Sequence, residues 1–257
     1  MNRINKLFED KKEGILSVFF TAGYPKLEDT MSILKAAEKV GINMVELGFP
    51  FSDPIADGPT IQTSSNIALK NGMSMKKLFS QIVNMRQSVS IPVILMGYVN
   101  IVMQYGLEHF CESCKSCGVD GVILPDLPMK DYLAKYKPMF DKYGIVLVLL
   151  ITPETTDDRI REIDNNTNSF IYMVSSASTT GAQNSFDKKK QDYFARINNM
   201  GLKNPRVVGF GISNKQTLQA AFKNSSGAII GSKFVKCLEN TSSPEEAFDM
   251  LFDSLKK

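Results

Sequence analysis

Residues 206–232, RVVGFGISNKQTLQAAFKNSSGAIIGS, contain the pattern that decides the fold. A short apolar run at 206–212 is followed by an amphipathic stretch at 214–223 and a second apolar run at 227–232. Short runs rich in β-branched residues are typical of buried strands, and the longer amphipathic stretch is typical of a helix. The segment therefore predicts a strand–helix–strand unit.

The same alternation runs through the rest of the chain. The further predicted strands are 15–23, 43–49, 92–98, 121–126, 145–152 and 170–176, and the further predicted helices are 28–40, 74–88, 104–117, 129–143, 156–166, 187–199 and 244–256. Near-continuous apolar strands predict parallel sheets that helices cover on both faces. Eight such units favour a (β/α)8 TIM barrel with an extra N-terminal helix, forming a single domain over residues 1–257. A doubly wound open sheet is the alternative.

Composition excludes several classes of protein. The chain is 43% hydrophobic and 22% charged, as in ordinary globular proteins, and its net charge of +3 is spread along the sequence. The sequence thus contains no cluster of basic residues of the kind that binds nucleic acid. No apolar run is long enough to span a bilayer, and the charged N-terminal stretch lacks an apolar signal core. We expect a cytoplasmic protein without a membrane or nucleic-acid partner.

Three of the four cysteines, Cys111, Cys114 and Cys117, have a spacing that could indicate a metal site. The fourth cysteine of the ferredoxin pattern is missing, and His109 is the only histidine. On a helix, this spacing places the thiols along one face, where they would pack as small apolar side chains. We expect no metal and keep a zinc or iron site as the alternative.

Acidic residues cluster around the second predicted strand, in VELGFPFSDPIADGPT at 45–60. If Val45 and Leu47 face the helices, Glu46 points into the barrel, where burial raises a carboxyl pKa. A structural ion pair is the other interpretation, but the strand cores contain no Lys, and Arg206 begins a strand at the opposite end. Asp57 follows in the next loop and is the candidate second carboxylate. For Asp53, before a proline, turn formation is favoured.

The last two predicted strands end in GFGIS and GAIIGS, at 209–213 and 227–232. Glycines allow backbone N–H groups to approach an anion, and a helix that begins at Ser232 would add its dipole. In TIM barrels, phosphate often binds after strands 7 and 8. A phosphorylated small molecule is therefore the expected substrate.

The residue types that the sequence lacks at its strand ends exclude several kinds of catalytic chemistry. No Lys lies at a strand end, which argues against a Schiff-base aldolase, and a single His argues against a metal-dependent one. No nucleotide-binding motif is present. Acid–base chemistry by carboxylates without a cofactor remains. Aromatic residues near strand ends suggest an apolar pocket, namely Phe19, Tyr98, Tyr172 and Phe210.

These motifs together resemble the tryptophan synthase alpha subunit family. The longest match is ELGFPFSDPIADGPTIQ at 46–62; FFTAGYP, GYVN, LPDLP, TTGA, GFGIS and GAIIGS follow the order of that family. The resemblance implies a lyase of tryptophan biosynthesis that cleaves indole-3-glycerol phosphate to indole and glyceraldehyde 3-phosphate. It also implies a TIM barrel.

The resemblance assigns roles to residues of this sequence. Glu46 would be the general acid–base, and Asp57 would accept a hydrogen bond from the indole N–H. Tyr172 would position the carboxylates. The remaining substrate-binding residues would be Gly181, Gly211, Gly231 and Ser232 for the phosphate, with Thr180 beside Gly181, and Phe19, Ile61, Tyr98 and Phe210 for the indole ring.

The family also implies a partner. A beta subunit that contains pyridoxal phosphate (PLP) would receive indole through a tunnel within an alpha2beta2 heterotetramer, and the alpha chain itself would need no cofactor. The loops 53–60 and 177–190 would close over substrate. One departure is SSASTTG at 175–181, where the family usually has an Arg and a Gly in place of Ser176 and Ser178.

Two other functions remain open at this stage. An indole-3-glycerol phosphate synthase would bind the same compound as its product, but it would use a strand lysine that is missing here. A non-catalytic regulatory subunit would belong to a different class of protein; the presence of Glu46 and Asp57 argues against it.

Overall fold

The computed structural model describes residues 2–174, 188–209 and 211–256. Its strands are β1 (Ile15–Thr21), β2 (Met44–Gly48), β3 (Val93–Met96), β4 (Gly121–Ile123), β5 (Val146–Leu147), β6 (Leu149–Ile151), β7 (Ile171–Val174), β8 (Arg206–Gly209) and β9 (Gly227–Ile230). Every pairing between them is parallel, in the order β5-β4-β3-β2-β1-β9-β8-β7-β6. Only Val148 separates β5 from β6, and its N–H donates to the Val122 carbonyl at 2.9 Å. The two ends of the sheet are thus neighbouring pieces of one segment, and the sheet closes into the predicted barrel.

Helices follow the strands. They are α1 (Arg3–Asp10), α2 (Thr30–Lys39), α3 (Pro59–Lys70), α4 (Met75–Ile82), α5 (Val99–Tyr105), α6 (Leu107–Cys117), α7 (Met129–Asp131), α8 (Lys137–Tyr143), α9 (Asp157–Asn166), α10 (Lys188–Asn199), α11 (Lys215–Asn224), α12 (Ser232–Glu239) and α13 (Pro244–Lys256). A π-helical turn at Tyr132–Tyr136 joins α7 to α8, and a 3-10 turn at Met85–Gln87 follows α4. In the described part of the chain, no helix has the length and apolar character needed to cross a bilayer.

Two helices were not predicted as such. The predicted helices leave out α3 entirely and most of α5, because the predicted helix at 104–117 begins only where α5 ends. On α3, the buried face contains Ser64 and Ser65 between Ile61 and Ala68, which weakens the apolar periodicity. The Ser64 hydroxyl lies 2.7 Å from that of Thr21 on β1 and donates to the Ile61 carbonyl at 2.9 Å. The Ser64 hydroxyl can therefore be buried against the barrel because it has partners there.

Side chains alternate between the inside and the outside of the barrel, as parallel strands require. Val45 and Leu47 of β2 belong to the core between barrel and helices, whereas Met44 belongs to the smaller core inside the barrel. Glu46 therefore points inward, as predicted. At the amino-terminal end, α1 closes the barrel by adding Ile4 and Phe8 to the inner core.

The three clustered cysteines lie on α6. Cys111, Cys114 and Cys117 are all buried in the core between barrel and helices, so the prediction that they pack as small apolar side chains is confirmed. Burial raises the pKa of Cys111 to about 12 and that of Cys117 to about 11, which keeps the thiols protonated. His109 is exposed and stacks on Tyr105. Among the residues described, no group of His, Cys, Asp and Glu could hold a metal ion.

Candidate active site

Glu46 is the most unusual carboxyl group in the structure. It lies in mid-strand, between Phe19 of β1 and Ile94 of β3 in the register of the sheet. The side chain is fully buried, and neither carboxyl oxygen has a hydrogen-bond partner among the described residues. Burial raises its pKa to about 8. Glu46 is therefore a neutral acid at pH 7, and no structural ion pair with a described residue explains it.

Asp57 lies in the loop between β2 and α3, and it is half-buried. Tyr98 donates a hydrogen bond from its hydroxyl to the Asp57 carboxylate at 3.1 Å, and the same hydroxyl accepts one from the Ala56 N–H at 3.0 Å. Burial raises the pKa of Asp57 to about 6, and the bond from Tyr98 opposes that rise. Asp57 is thus mainly ionised at pH 7.

Asp53 differs from Asp57, although both follow the same strand. It is exposed, it accepts a hydrogen bond from the Ser52 hydroxyl, and its carbonyl accepts one from the Ile55 N–H at 2.9 Å. These are bonds within a turn, as the sequence predicted.

One cavity brings the two carboxyl groups together. The predicted site residues that line it are Phe19, Glu46, Asp57, Ile61, Tyr172, Gly211, Gly231 and Ser232. Its empty space, including the open mouth, is about 830 Å³. Tyr98 lines a smaller neighbouring cavity that shares Phe19, Asp57 and Ile61. Thr180, Gly181 and Phe210 lie outside the described residues, as does most of the 177–190 loop.

Tyr172 reaches the site from β7 on the far side of the barrel. A Cβ atom at Gly209 would lie 2.2 Å from the Tyr172 hydroxyl oxygen, so only glycine leaves space for this ring. The pKa of Tyr172 is raised well above its ordinary value by burial and then by the negative charges of Glu46 and Asp57. Tyr172, Glu46 and Asp57 therefore line one cavity within electrostatic range of each other.

The part of the cavity wall at the start of α12 has the features of an anion-binding site. Gly231 is the N-cap residue of α12 and makes no side-chain capping bond, and Ser232 begins the helix. Gly211, with φ of +76°, adopts a conformation that few other residues tolerate. The first N–H groups of a helix lack partners within the helix and favour negative charge. The wall is thus suited to a phosphate group.

Sequence reasoning missed part of the lining. The additional residues are Gly58, Pro59, Thr60, Met96, Ile212, Ser213, Ile229 and Lys233. Met96 and Ile229 look like ordinary core residues in the sequence. Lys233 directly follows the GAIIGS motif, and a lysine in the first turn of the helix after that motif is the sequence signal for it.

Comparison with known proteins identifies the family. The family model described as tryptophan synthase alpha chain matches residues 6–255. The tryptophan synthase alpha chain of Parabacteroides distasonis is 60% identical, with all of both chains covered. That of Bacteroides thetaiotaomicron is 55% identical, again with all of both chains covered.

Solved structures agree with these relatives. The tryptophan synthase alpha chain of Legionella pneumophila is 30% identical with a TM-score of 0.87, and the match covers 99% of this chain and 96% of that one. A chain from the tryptophan synthase complex of Pyrococcus furiosus is 32% identical with a TM-score of 0.83, covering 95% of this chain and 98% of that one. The chain described here belongs to the tryptophan synthase alpha chain family.

Proposed function

We propose that Glu46 and Asp57 carry out the reaction of this family in this chain, with residues 1–257 acting as one barrel domain. The chain cleaves indole-3-glycerol phosphate to indole and glyceraldehyde 3-phosphate, the alpha reaction of tryptophan synthase in tryptophan biosynthesis. The observation that carries the residue assignment is Glu46, a fully buried carboxyl group that lines the cavity without a described partner. Burial of such a group costs stability, and a role in proton transfer explains why this position carries a glutamate.

Glu46 can supply both proton transfers of a retro-aldol cleavage. Its neutral form donates a proton to the ring carbon that carries the glycerol chain, which turns the indole into an electron sink. The resulting carboxylate then accepts the proton of the side-chain hydroxyl while the carbon–carbon bond breaks and its electrons return to the ring. The glutamic acid is thereby restored, and one proton has moved from oxygen to carbon. A pKa of about 8 suits a group that must act in both directions near neutral pH.

Asp57 stabilises the positive charge that appears on the ring nitrogen after protonation. An ionised carboxylate that accepts the ring N–H is most effective in a pocket that excludes water. The bond from Tyr98 supports this role because it favours the ionised form of Asp57. Tyr172 holds the two carboxyl groups in position from the opposite strand.

The rest of the cavity binds the two ends of the substrate. The phosphate lies on the backbone of Gly211, Gly231 and Ser232, and the family resemblance adds Thr180 and Gly181 to this set. The indole ring lies among Phe19, Ile61, Tyr98 and Phe210. Because protonation of the ring provides the electron sink, the cleavage needs no cofactor in this chain. PLP belongs to the partner.

The partner is a tryptophan synthase beta subunit. The Pyrococcus furiosus neighbour was solved as a tryptophan synthase complex, which supports an assembly of this kind. Three large apolar side chains, Ile55, Met103 and Leu133, are exposed after the neighbouring strands β2, β3 and β4. They lie at the end of the barrel where the cavity opens. This surface fits a docked beta subunit that receives indole in an alpha2beta2 heterotetramer.

The test is indole release from indole-3-glycerol phosphate by the purified chain, with and without a beta subunit. We expect Glu46→Gln to lower kcat by about 10³-fold, because glutamine can neither donate nor accept the proton. Glu13→Gln, at an exposed glutamate, is the matched control and should leave kcat unchanged.

Two results would contradict the proposal. If Glu46→Gln retained activity, another group would be the acid–base. If the folded parent bound the substrate but released no indole in either condition, it would be a regulatory subunit instead.

A further inference from the structure

We propose that the Lys233 ammonium group binds the phosphate of the substrate directly, so that this chain adds a full side-chain charge to the backbone phosphate site. The inference rests on the proposed function, because it assumes that the phosphate lies at the start of α12. It assigns a specificity role to a residue outside the set predicted from the motifs.

The position of Lys233 is the first argument. It is the second residue of α12, directly after Gly231 and Ser232, and it lines the same cavity as Glu46 and Asp57. The side chain is half-buried instead of extending freely into solvent. Lys236, one turn further along the same helix, is exposed and does not line the cavity.

Electrostatics is the second argument. A cation in the first turn of a helix is unfavourable because the N-terminal end of the helix dipole is positive. The first turn of α12 contains no acidic residue, and no carboxylate in the described ranges forms an ion pair with Lys233. Of the two acids in the cavity, Glu46 has a pKa of about 8 and is mainly neutral at pH 7, and Asp57 is mainly ionised but forms no ion pair with Lys233. Lys233 thus carries a positive charge in the first turn of α12 without an ion-pair partner among the described residues, and a bound anion would relieve its repulsion with the helix dipole.

The charge of the ligand is the third argument. A phosphate monoester carries about 1.5 to 2 negative charges near pH 7. A helix N-terminus is equivalent to only roughly half a positive charge, so backbone N–H groups alone leave the dianion largely uncompensated. The Lys233 ammonium group supplies a whole charge at the same wall. The site should therefore prefer a phosphorylated substrate over its dephosphorylated form and should weaken as salt is added.

The experiment compares Lys233→Met, Lys233→Arg and the matched control Lys236→Met. For each variant, KM and kcat are measured for indole-3-glycerol phosphate at low and high ionic strength. Inorganic phosphate is titrated as a competing ligand, and circular dichroism checks the fold. We expect Lys233→Met to raise KM and the phosphate inhibition constant about tenfold, with kcat within about twofold of the parent. Lys233→Arg should restore most of the affinity, and Lys236→Met should match the parent.

Three outcomes decide the matter. A tenfold loss confined to Lys233→Met, with a weaker salt dependence, supports the proposal. An unchanged KM and phosphate constant in a folded Lys233→Met overturns it. If the parent binds phosphate through Lys233 but releases no indole, the phosphate assignment holds and the proposed function fails.

Discussion

Two buried carboxyl groups at different depths of the barrel have opposite surroundings. Asp120, just before β4 at the amino-terminal end, forms ion pairs with Arg86 and, at 3.1 Å, with Arg3, and it accepts the Val93 N–H at 2.9 Å. Glu46, in the middle of β2, has no described partner for either oxygen. Both side chains are at most 3% exposed. The same chemical group therefore stabilises the fold at one position and is available for chemistry at the other.

The comparison shows where the barrel uses its polar groups. At the amino-terminal end, the Asp120 carbonyl also accepts a hydrogen bond from the Asn2 side chain at 2.7 Å, so the carboxylate and the segment before α1 are tied together. At the carboxyl-terminal end, helix N–H groups, Glu46 and Lys233 face an open cavity. Polar groups at the amino-terminal end of the barrel therefore stabilise the fold, and those toward the carboxyl-terminal end are available to bind a ligand.

The largest expected effect comes from removing the charge at Glu46. Its folded-state pKa of about 8 lies above the ordinary value of 4.5. The protonated group therefore contributes stability that is complete below pH 4.5 and is lost as the pH rises toward 8. We expect Glu46→Gln to be about 4 kcal/mol more stable than the parent at pH 8 and nearly equal to it at pH 4. Urea unfolding at both pH values measures this, and equal stability at pH 8 would mean that Glu46 has a partner.

Removal of Asp120 should have the opposite consequence. Asp120→Ala leaves two arginines and the Val93 N–H without their shared acceptor, so we expect a loss of about 3 kcal/mol in the free energy of unfolding. The kcat of the folded fraction should stay unchanged because the cavity is not lined by Asp120. Asp192→Ala, at an exposed position, is the control and should cost less than about 0.5 kcal/mol. If Asp120→Ala were as stable as the parent, Asp120 would not stabilise the fold, and the contrast drawn between Asp120 and Glu46 would be wrong.

Substitution of apolar residues should also have different consequences at the two ends of the barrel: a loss of stability at the amino-terminal end and a loss of partner binding at the carboxyl-terminal end. Ile4 is fully buried where α1 closes the amino-terminal end of the barrel, so Ile4→Ala leaves a cavity in the inner core. We expect it to lower the free energy of unfolding by about 2 kcal/mol. Ile55 is 85% exposed, so Ile55→Ala should leave stability unchanged. It should instead weaken binding of a beta subunit in titration calorimetry. If Ile55→Ala bound the partner as tightly as the parent does, the proposed docking surface would be misplaced.

Tyr98→Phe tests whether Tyr98 keeps Asp57 ionised, and it should change activity less than the substitutions above. Tyr98→Phe removes the hydrogen bond that favours the ionised carboxylate, so the pKa of Asp57 should rise further above 6. Activity requires Asp57 ionised and Glu46 initially protonated, which predicts a plateau of kcat/KM between about pH 6 and pH 8. In Tyr98→Phe, the acidic limb should move to higher pH while the alkaline limb stays in place, with a loss of about fivefold at pH 7. An unmoved acidic limb would show that Tyr98 does not act on Asp57.

Much of the fold was predictable because it depends on local patterns. Eight apolar segments separated by amphipathic ones led to the parallel barrel, and the last helix lies at Pro244–Lys256 as predicted. The miss at α3 has a specific cause, since Ser64 and Ser65 lie on its buried face. Their environment depends on contacts with other segments, such as the one with Thr21, which local periodicity cannot reveal.

Local sequence patterns are sufficient to predict the succession of strands, the inward direction of Glu46, and the glycines and acids that mark this family. Those properties follow from periodicity and from the identity of each side chain. Four properties of the site are visible only in the folded chain: Glu46 has no described partner, Tyr98 donates to Asp57, Gly209 leaves space for Tyr172, and Lys233 lines the cavity. Tyr98 and Asp57 are 41 positions apart in the chain, and Gly209 and Tyr172 are 37 positions apart. The other two properties depend on the direction of one side chain, and barrel closure brings all these residues together.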